Sequence, residues 1–287
     1  MKSIAYKWSI YDMGEKKKIL ITVKTYPNLS STYEELVCTA GILEDGSWIR
    51  LYPIPFRLME YEKQYKKYQW IEVEVIRRKQ DIRPESFEPR CDTIQVLDKQ
   101  VDTRDNWRER KKYVLKNVYR NMTDLIDMAH NNKVSLAVFK PEQFVRFEPV
   151  PVKEKERIEY QAKMEKILSQ RKQMELIDDD ARKINPVAQP DYQFYYVTKD
   201  ANGKESRMQI EDWEIHALYR KCHKKHGSKE KAVADVRKKY WDDFARTKDL
   251  YLFLGTTLKF HVRKTPNPFT IIGTFSPKKE CQNSLLE

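Results

Sequence analysis

The sequence predicts an α+β protein: a small N-terminal β-barrel, a C-terminal α+β domain, and a long charged helix joining them. Three observations carry this. Apolar and polar residues alternate through Lys18–Tyr26, Leu36–Leu43, Ser47–Tyr52 and Gln69–Arg77, the period of half-buried strands. The period becomes helical at Trp107–His130 and again at Lys153–Ile184. Beyond residue 190, strands and helices mix within a short span.

In chain order, Ile71, Val73 and Val75 face one way in the fourth strand while Glu72 and Glu74 face the other. Asp45-Gly46 supplies the positive φ of a tight turn between the second and third strands. Pro53 and Pro55 end the third, because proline cannot donate to a ladder. Ile94–Leu97 and Ser135–Phe139 add short strands, and Trp107–His130 between them reads as one helix. Residues 1–148 form the barrel domain with that helix, 149–190 the charged connecting helix, and 191–287 the α+β domain. There, Tyr192–Thr198 and Glu205–Ile210 flank an Asn202-Gly203 hairpin turn. Trp213–His226 and a helix capped by Ser228 follow, then strands Leu250–Gly255, Leu258–Val262 and Phe269–Phe275.

Composition excludes several classes. Only 7 glycines occur, with no GxGxxG or GxxxxGK[ST], which argues against a Gly-rich phosphate loop. No apolar run approaches membrane-spanning length, and Met1–Lys18 lacks an apolar signal core. The expectation is a cytoplasmic protein with no membrane partner, its Cys38, Cys91, Cys222 and Cys281 reduced.

Charge is the most pointed signal. The formal net charge is +12. Residues 215–240 hold Arg220, Lys221, Lys224, Lys225, Lys229, Lys231, Arg237, Lys238 and Lys239 against Glu230 and Asp235, a local +7. Residues 107–120 hold Arg108, Arg110, Lys111, Lys112, Lys116 and Arg120 against Glu109, a local +5. Charge gathered in this way is a footprint for a polyanion, with DNA or RNA the commonest.

Candidate binding residues follow. Arg220, Lys221, Lys224 and Lys225 end a helix without acids at i±4, whereas Lys231–Asp235 and Lys238–Asp242 read as solvated pairs. Arg108, Lys111 and Lys112 read as mostly unpaired. Trp48 and Tyr52 share a barrel face with Arg50 between them, an arrangement suited to base stacking.

A catalytic alternative rests on Glu211-Asp212-Trp213-Glu214 at a helix start. A metal-dependent nuclease would use Asp212 and Glu214 to hold Mg²⁺, with Lys221 or His261 assisting. Acids also favour helix N-termini for dipole reasons alone. Cys222-His223-x-x-His226 has no second pair at zinc spacing, so no metal or other cofactor is expected. A third reading is an adaptor whose basic surface meets an acidic protein.

The run Lys18-Ile-Leu-Ile-Thr-Val-Lys-Thr-Tyr-Pro27, then Val37-Cys-Thr-Ala-Gly41 and Gly46-Ser-Trp-Ile-Arg-Leu-Tyr-Pro53, resembles the N-terminal regions of bacterial proteins with a dual OB-containing domain. The resemblance covers residues 17–80. It implies an OB-like barrel that binds oligonucleotides on one face through Lys24, Trp48 and Arg50, and a bacterial genome-maintenance or phage-defence setting. Relatives carry a Cys-rich loop where this chain has Asp200–Glu205 without cysteine, so an inherited zinc site is not implied. The favoured expectation is backbone-directed nucleic-acid binding.

Overall fold

A computed structural model describes residues 14–30, 34–97, 100–175 and 185–280. Cys281 and the expected helix beyond Glu175 lie outside the described residues.

The N-terminal strands are β1 (Glu15–Lys24), β2 (Asn28–Ser30), β3 (Glu34–Ile42), β4 (Trp48–Ile54), β5 (Trp70–Arg77), β6 (Ser86–Pro89) and β7 (Gln95–Val96). Their order is β1-β3-β4-β6-β5, and β5 pairs back onto β1 to close a five-stranded barrel. All pairings around it are antiparallel except β4 with β6. This is an OB-like arrangement. Ile19, Ile21, Val37, Ile49, Leu51, Ile71 and Val73 fill the interior.

β1 departs from the expected alternation. Every residue from Ile19 to Val23 is buried, because barrel interior covers one face and the rest of the chain covers the other. Gly41 lies opposite Ile21 where β3 pairs with β1, beside a register shift; a Cβ there would lie 2.4 Å from the Ile19 side chain and 2.6 Å from the Leu20 carbonyl. That contact accounts for the glycine in the Cys-x-Ala-Gly run.

The expected helix Trp107–His130 is two: α1 (Arg104–Val114) and α2 (Met122–His130), with β8 (Val118–Tyr119) between them. Asn121 divides them by capping α2, its side-chain oxygen accepting from the Thr123 and Asp124 amides. β9 (Leu136–Phe139) and β10 (Gln143–Pro151) follow, then α3 (Glu154–Glu175), β11 (Tyr192–Lys199), β12 (Glu205–Gln209), α4 (Trp213–His226), α5 (Lys229–Arg237), a π-helical continuation Lys238–Ala245, β13 (Tyr251–Thr256), α6 (Leu258–Val262) and β14 (Phe269–Phe275).

Three expectations need correction. Leu258–Val262 is the short helix α6, not a strand, because the Thr257 hydroxyl caps it by accepting from the Phe260 amide. The boundary at 148/149 cuts through one core: Leu125, Ala129 and Phe139 pack with Phe194, Ile215 and Leu254. Nor does α3 join two domains. It is an excursion between β10 and β11, which pair antiparallel from Gln143↔Lys199 to Pro151↔Tyr192, and it returns to the barrel where Lys163 Nζ donates to the Leu29 carbonyl.

β8, β9, β13 and β14 form one sheet and β10, β11 and β12 another. The first sheet packs on the barrel. Val23, Ala40, Ile42 and Tyr68 from the barrel meet Leu136, Val138, Phe253, Ile272 and Phe275 in a continuous apolar seam.

Candidate nucleic-acid interface

In an OB-like barrel, the outer face of the second and third barrel strands is the usual ligand face, here β3 and β4. Ala40 lies opposite Arg50 and Ile42 opposite Trp48 across this pair. All four are turned into the seam or its edge. The Trp48 ring meets Phe253 edge-on at 5.4 Å. Arg50 is 2 % exposed. Its Nη1 donates to Ser135 Oγ at 2.7 Å and Ser86 Oγ at 3.2 Å, and its Nη2 to the Ser135 carbonyl at 3.1 Å. Arg83 reinforces the tie by donating to the Thr256 carbonyl. Tyr52 is half-buried beneath the Arg78 guanidinium, 4.6 Å from its ring centroid.

The stacking face expected at Trp48, Arg50 and Tyr52 is therefore covered. Re-exposing five seam side chains at roughly 2 kcal/mol each would cost on the order of 10 kcal/mol, leaving an open form of about one part in ten million. A ligand face cannot work at that population.

Lys24 stands elsewhere, in a cluster that the sequence scatters. Its Nζ donates to the Tyr65 carbonyl at 3.2 Å and lies 4.4 Å from the Phe56 ring centroid and 5.5 Å from that of Trp213. Burial, with the neighbouring Lys67 charge, lowers its pKa to about 8. Lys67 Nζ sits 3.0 Å from both Asp212 carboxylate oxygens and 3.0 Å from Glu214. Burial opposes the Lys67 charge, but Asp212 and Glu214 outweigh it and move the pKa upward. Burial lifts Asp212 to about 6 against the pull of Lys67.

These contacts remove the geometry a nuclease would need. Asp212 is fully buried, caps α4 by accepting from the Glu214 amide, and shares one lysine with Glu214. His261 belongs to another neighbourhood, hydrogen-bonded to Thr256 Oγ1 at 3.1 Å and Asn132 Oδ1 at 2.9 Å. Lys221 is exposed two turns along α4. The four residues do not converge, and among the described residues no group of three or more His, Cys, Asp or Glu side chains is placed to hold a metal. Sequence reading missed Lys67; nothing near Asp212 in the chain signals a partner 145 residues away.

The two basic stretches also differ from expectation. Lys111 pairs with Glu280 at 2.7 Å, Lys112 with Glu109 at 2.8 Å, and Arg108 with Asp105 at 3.4 Å. Along α4, Lys221, Lys224 and Lys225 are exposed and form no ion pair among the described residues. Arg220 is half-buried, its guanidinium 5.4 Å from the Tyr26 ring centroid. On α5 and its π-helical continuation the expected Lys231–Asp235 and Lys238–Asp242 pairs do not form; Asp235 is taken by His226 at 2.8 Å. Lys231 and Lys238 are thus bare too among the described residues, so unpaired cations stand on both sides of the turn at Gly227.

The class defined by these features is a mixed α+β protein in which an OB-like barrel is sealed by a second domain carrying a basic helical hairpin. Residues 118–287 match Domain of unknown function (DUF8757), and the chain belongs to that family. Residues 15–116 match Domain of unknown function (DUF8758); the two matches meet just before β8. No curated protein matches the chain. Among solved structures, it is similar to a chain of a replication protein A heterotrimer bound to ssDNA, at 10 % identity and a TM-score of 0.34, covering 89 % of this chain and 46 % of that one. The chain thus spans less than half the length of that protein, and so low a score carries no argument about function. Among the described residues no helix is long and apolar enough to cross a membrane.

Proposed function

We propose that this protein binds nucleic acid through the phosphate backbone along the α4–α5 hairpin. One observation carries the reading. Lys221, Lys224, Lys225, Lys231 and Lys238 are exposed and unpaired among the described residues, whereas the other basic stretch is largely neutralised within the fold. Bare cations grouped on one surface bind phosphates by releasing counterions, so affinity falls with salt in proportion to the contacts made.

With four to six phosphate contacts, a plot of log affinity against log salt for a single-stranded oligonucleotide should slope at about −3 to −4, using roughly −0.7 per contact. Fluorescence anisotropy across a salt series measures it. A flat response, or no retention at low salt, sinks the proposal.

A further inference from the structure

The end of the sheet at which β13 passes through α6 into β14 is apolar where it meets solvent. Among the described residues six large hydrophobic side chains are exposed, and four of them, Ile82, Leu258, Phe260 and Val262, belong here, Val262 being 56 % exposed. Gly255 pairs with Leu136 and Thr256 with Phe269, so α6 and the turn before β9 lie at one end. Asn132 in that turn joins the parts: its Oδ1 meets His261 Nε2 and its Nδ2 donates to the Ile82 carbonyl, both at 2.9 Å. Exposed apolar side chains gathered in one place mark an interaction surface.

The charge around them has one sign. Lys133, Lys259, Arg263 and Lys264 are exposed and form no ion pair among the described residues. No acid occurs from Thr257 to Pro268. The acids of the neighbouring loop are committed: Asp81 pairs with Arg83 at 2.6 Å, and Glu85 accepts from the Ser135 amide at 2.9 Å.

α6 sorts these groups by direction. His261 is buried and its Nδ1 meets Thr256 Oγ1 at 3.1 Å, which fixes the inward side of the turn. At roughly 100° per residue, Lys259 and Arg263 lie opposite His261. Leu258 and Val262 share one flank, and Phe260 takes the other. A cationic crest therefore stands between two apolar flanks.

That arrangement selects among occupants. A second copy meeting it face to face would set cation against cation. A nucleic-acid strand stacks its bases on aromatic rings, and three of the four apolar side chains are aliphatic. A lipid surface would have to take the crest below its phosphates before either flank reached the acyl chains, and a charge at that depth is costly. A polypeptide can place carboxylates over the crest and apolar side chains down both flanks, complementary in charge and in apolar surface. We propose that α6, with Ile82 and Lys133, docks an acidic segment of a partner protein whose carboxylates stand between large apolar residues. The site is separate from α4 and α5 and does not depend on the hairpin reading.

The test pans random dodecapeptides displayed on phage against the full chain, then measures the most enriched sequence as a synthetic peptide by anisotropy. Enriched peptides should carry Asp or Glu between Leu, Ile, Phe or Trp. Lys259→Glu with Arg263→Glu should weaken that peptide at least about tenfold, and a copy with its acids changed to Lys should bind this variant better than it binds the parent. Phe260→Ser with Val262→Ser, both at exposed positions, should weaken it about tenfold through lost apolar contact, with the thermal midpoint within a few degrees of the parent. Lys221→Gln with Lys224→Gln should leave it unchanged. An acidic peptide lost with that α4 pair instead occupies the hairpin and overturns the proposal. No enrichment, enriched peptides without acids, or an affinity that survives both α6 variants also overturns it. So does an oligonucleotide, or a vesicle of phosphatidylserine and phosphatidylcholine, whose binding falls about tenfold with the Phe260 and Val262 variant, because the surface then belongs to a strand or to lipid.

Discussion

The two stretches that carry the formal charge excess, residues 107–120 and 215–240, meet opposite fates. In the first, Lys111 reaches Glu280, Lys112 reaches Glu109, and Lys116 Nζ donates to the Glu44 carbonyl. Arg110 is turned inward, with Nε and Nη2 on the Val101 carbonyl and its guanidinium 3.9 Å from the Tyr68 ring centroid. In the second, Lys229 pairs with Asp191 and Lys239 with Asp243, and Asp235 is taken by His226, but Lys221, Lys224, Lys225, Lys231 and Lys238 form no ion pair among the described residues. Equal charge density in sequence therefore gives unequal surfaces. What decides is whether tertiary neighbours bring an anion or a carbonyl within reach, and most of those neighbours are remote in the chain.

The committed cations of the barrel seam set the largest effect expected. Lys67→Met would leave Asp212 buried without its cation. Breaking a buried pair from one side costs about 3–5 kcal/mol, so the urea midpoint should fall sharply while the folded protein keeps its oligonucleotide affinity. Replacing both partners, Lys67→Met with Asp212→Leu, should recover most of the loss. A fall in affinity that tracks Lys67 would erase the distinction between committed and bare cations.

Next in size is the converse change. Arg220, Lys221, Lys224 and Lys225 replaced together by Gln should flatten the salt slope by about 3, at roughly 0.7 per contact for single strands. Affinity at low salt should drop about a hundredfold, or about 2.7 kcal/mol, with the thermal midpoint nearly unmoved. Replacing Lys231 and Lys238 should flatten the slope by about 1.4 on the same arithmetic.

Cations packed against buried histidines predict a smaller, pH-dependent effect. Burial, reinforced by Arg220 at His216 and by Arg83 and Arg50 at His261, holds both pKa values at about 4, below the ordinary 6.5. Below pH 6.5 the unfolded chain takes up protons that the folded chain refuses. Each histidine's stability contribution is therefore complete above 6.5 and is lost as pH falls toward 4, at up to about 1.4 kcal/mol per pH unit. Asp212 runs the other way: with its pKa raised from 3.8 to about 6, its contribution is complete below 3.8 and lost as pH rises through 6. Glu211, likewise raised by burial, acts in the same sense, so the net slope is the difference between the histidine and the carboxyl contributions. His261→Gln should lower the rise of the urea midpoint between pH 4.5 and 6.5 by one histidine's share, up to about 1.4 kcal/mol per pH unit, and an unchanged pH dependence would place the titrating group elsewhere.

Legibility followed the same division. Features set by nearby residues were readable: the bounds of α4, the Ser228 cap of α5, and the Gly203 turn with φ +79°. Features set by remote partners were not. Trp48 and Arg50 do point away from Ile49 and Leu51, as alternation requires, but alternation cannot say whether the outer face meets water or Phe253 and Ser135. Asp212 read as a possible ligand because its lysine lies in the barrel. Leu258–Val262 fits strand or helix equally well over five residues, and the Thr257 cap decided it.

The smallest expected effect is the sharpest probe of the comparison: Arg108, Lys111 and Lys112 replaced together by Gln. These side chains are exposed enough to be seen by a phosphate, at 67 %, 20 % and 58 %. Pairing alone does not disqualify them, since a surface ion pair is worth only about 0.2–1 kcal/mol and a phosphate could displace the carboxylate. Displacement, however, releases an acid beside the incoming strand: Glu109, which serves both Arg108 and Lys112, and Glu280, which is 79 % exposed. The local charge offered to the strand is close to neutral whether the pairs are closed or open. From farther away the three cations contribute little at 0.15 M salt, where screening acts over about 8 Å. The variant should therefore lose less than threefold in affinity, keep the wild-type salt slope within about half a unit, and melt within a few degrees of the parent. A tenfold loss with a slope flattened by about 2, the value for three contacts at roughly 0.7 each, would mean that a strand opens these pairs, and the two basic stretches would then form one surface.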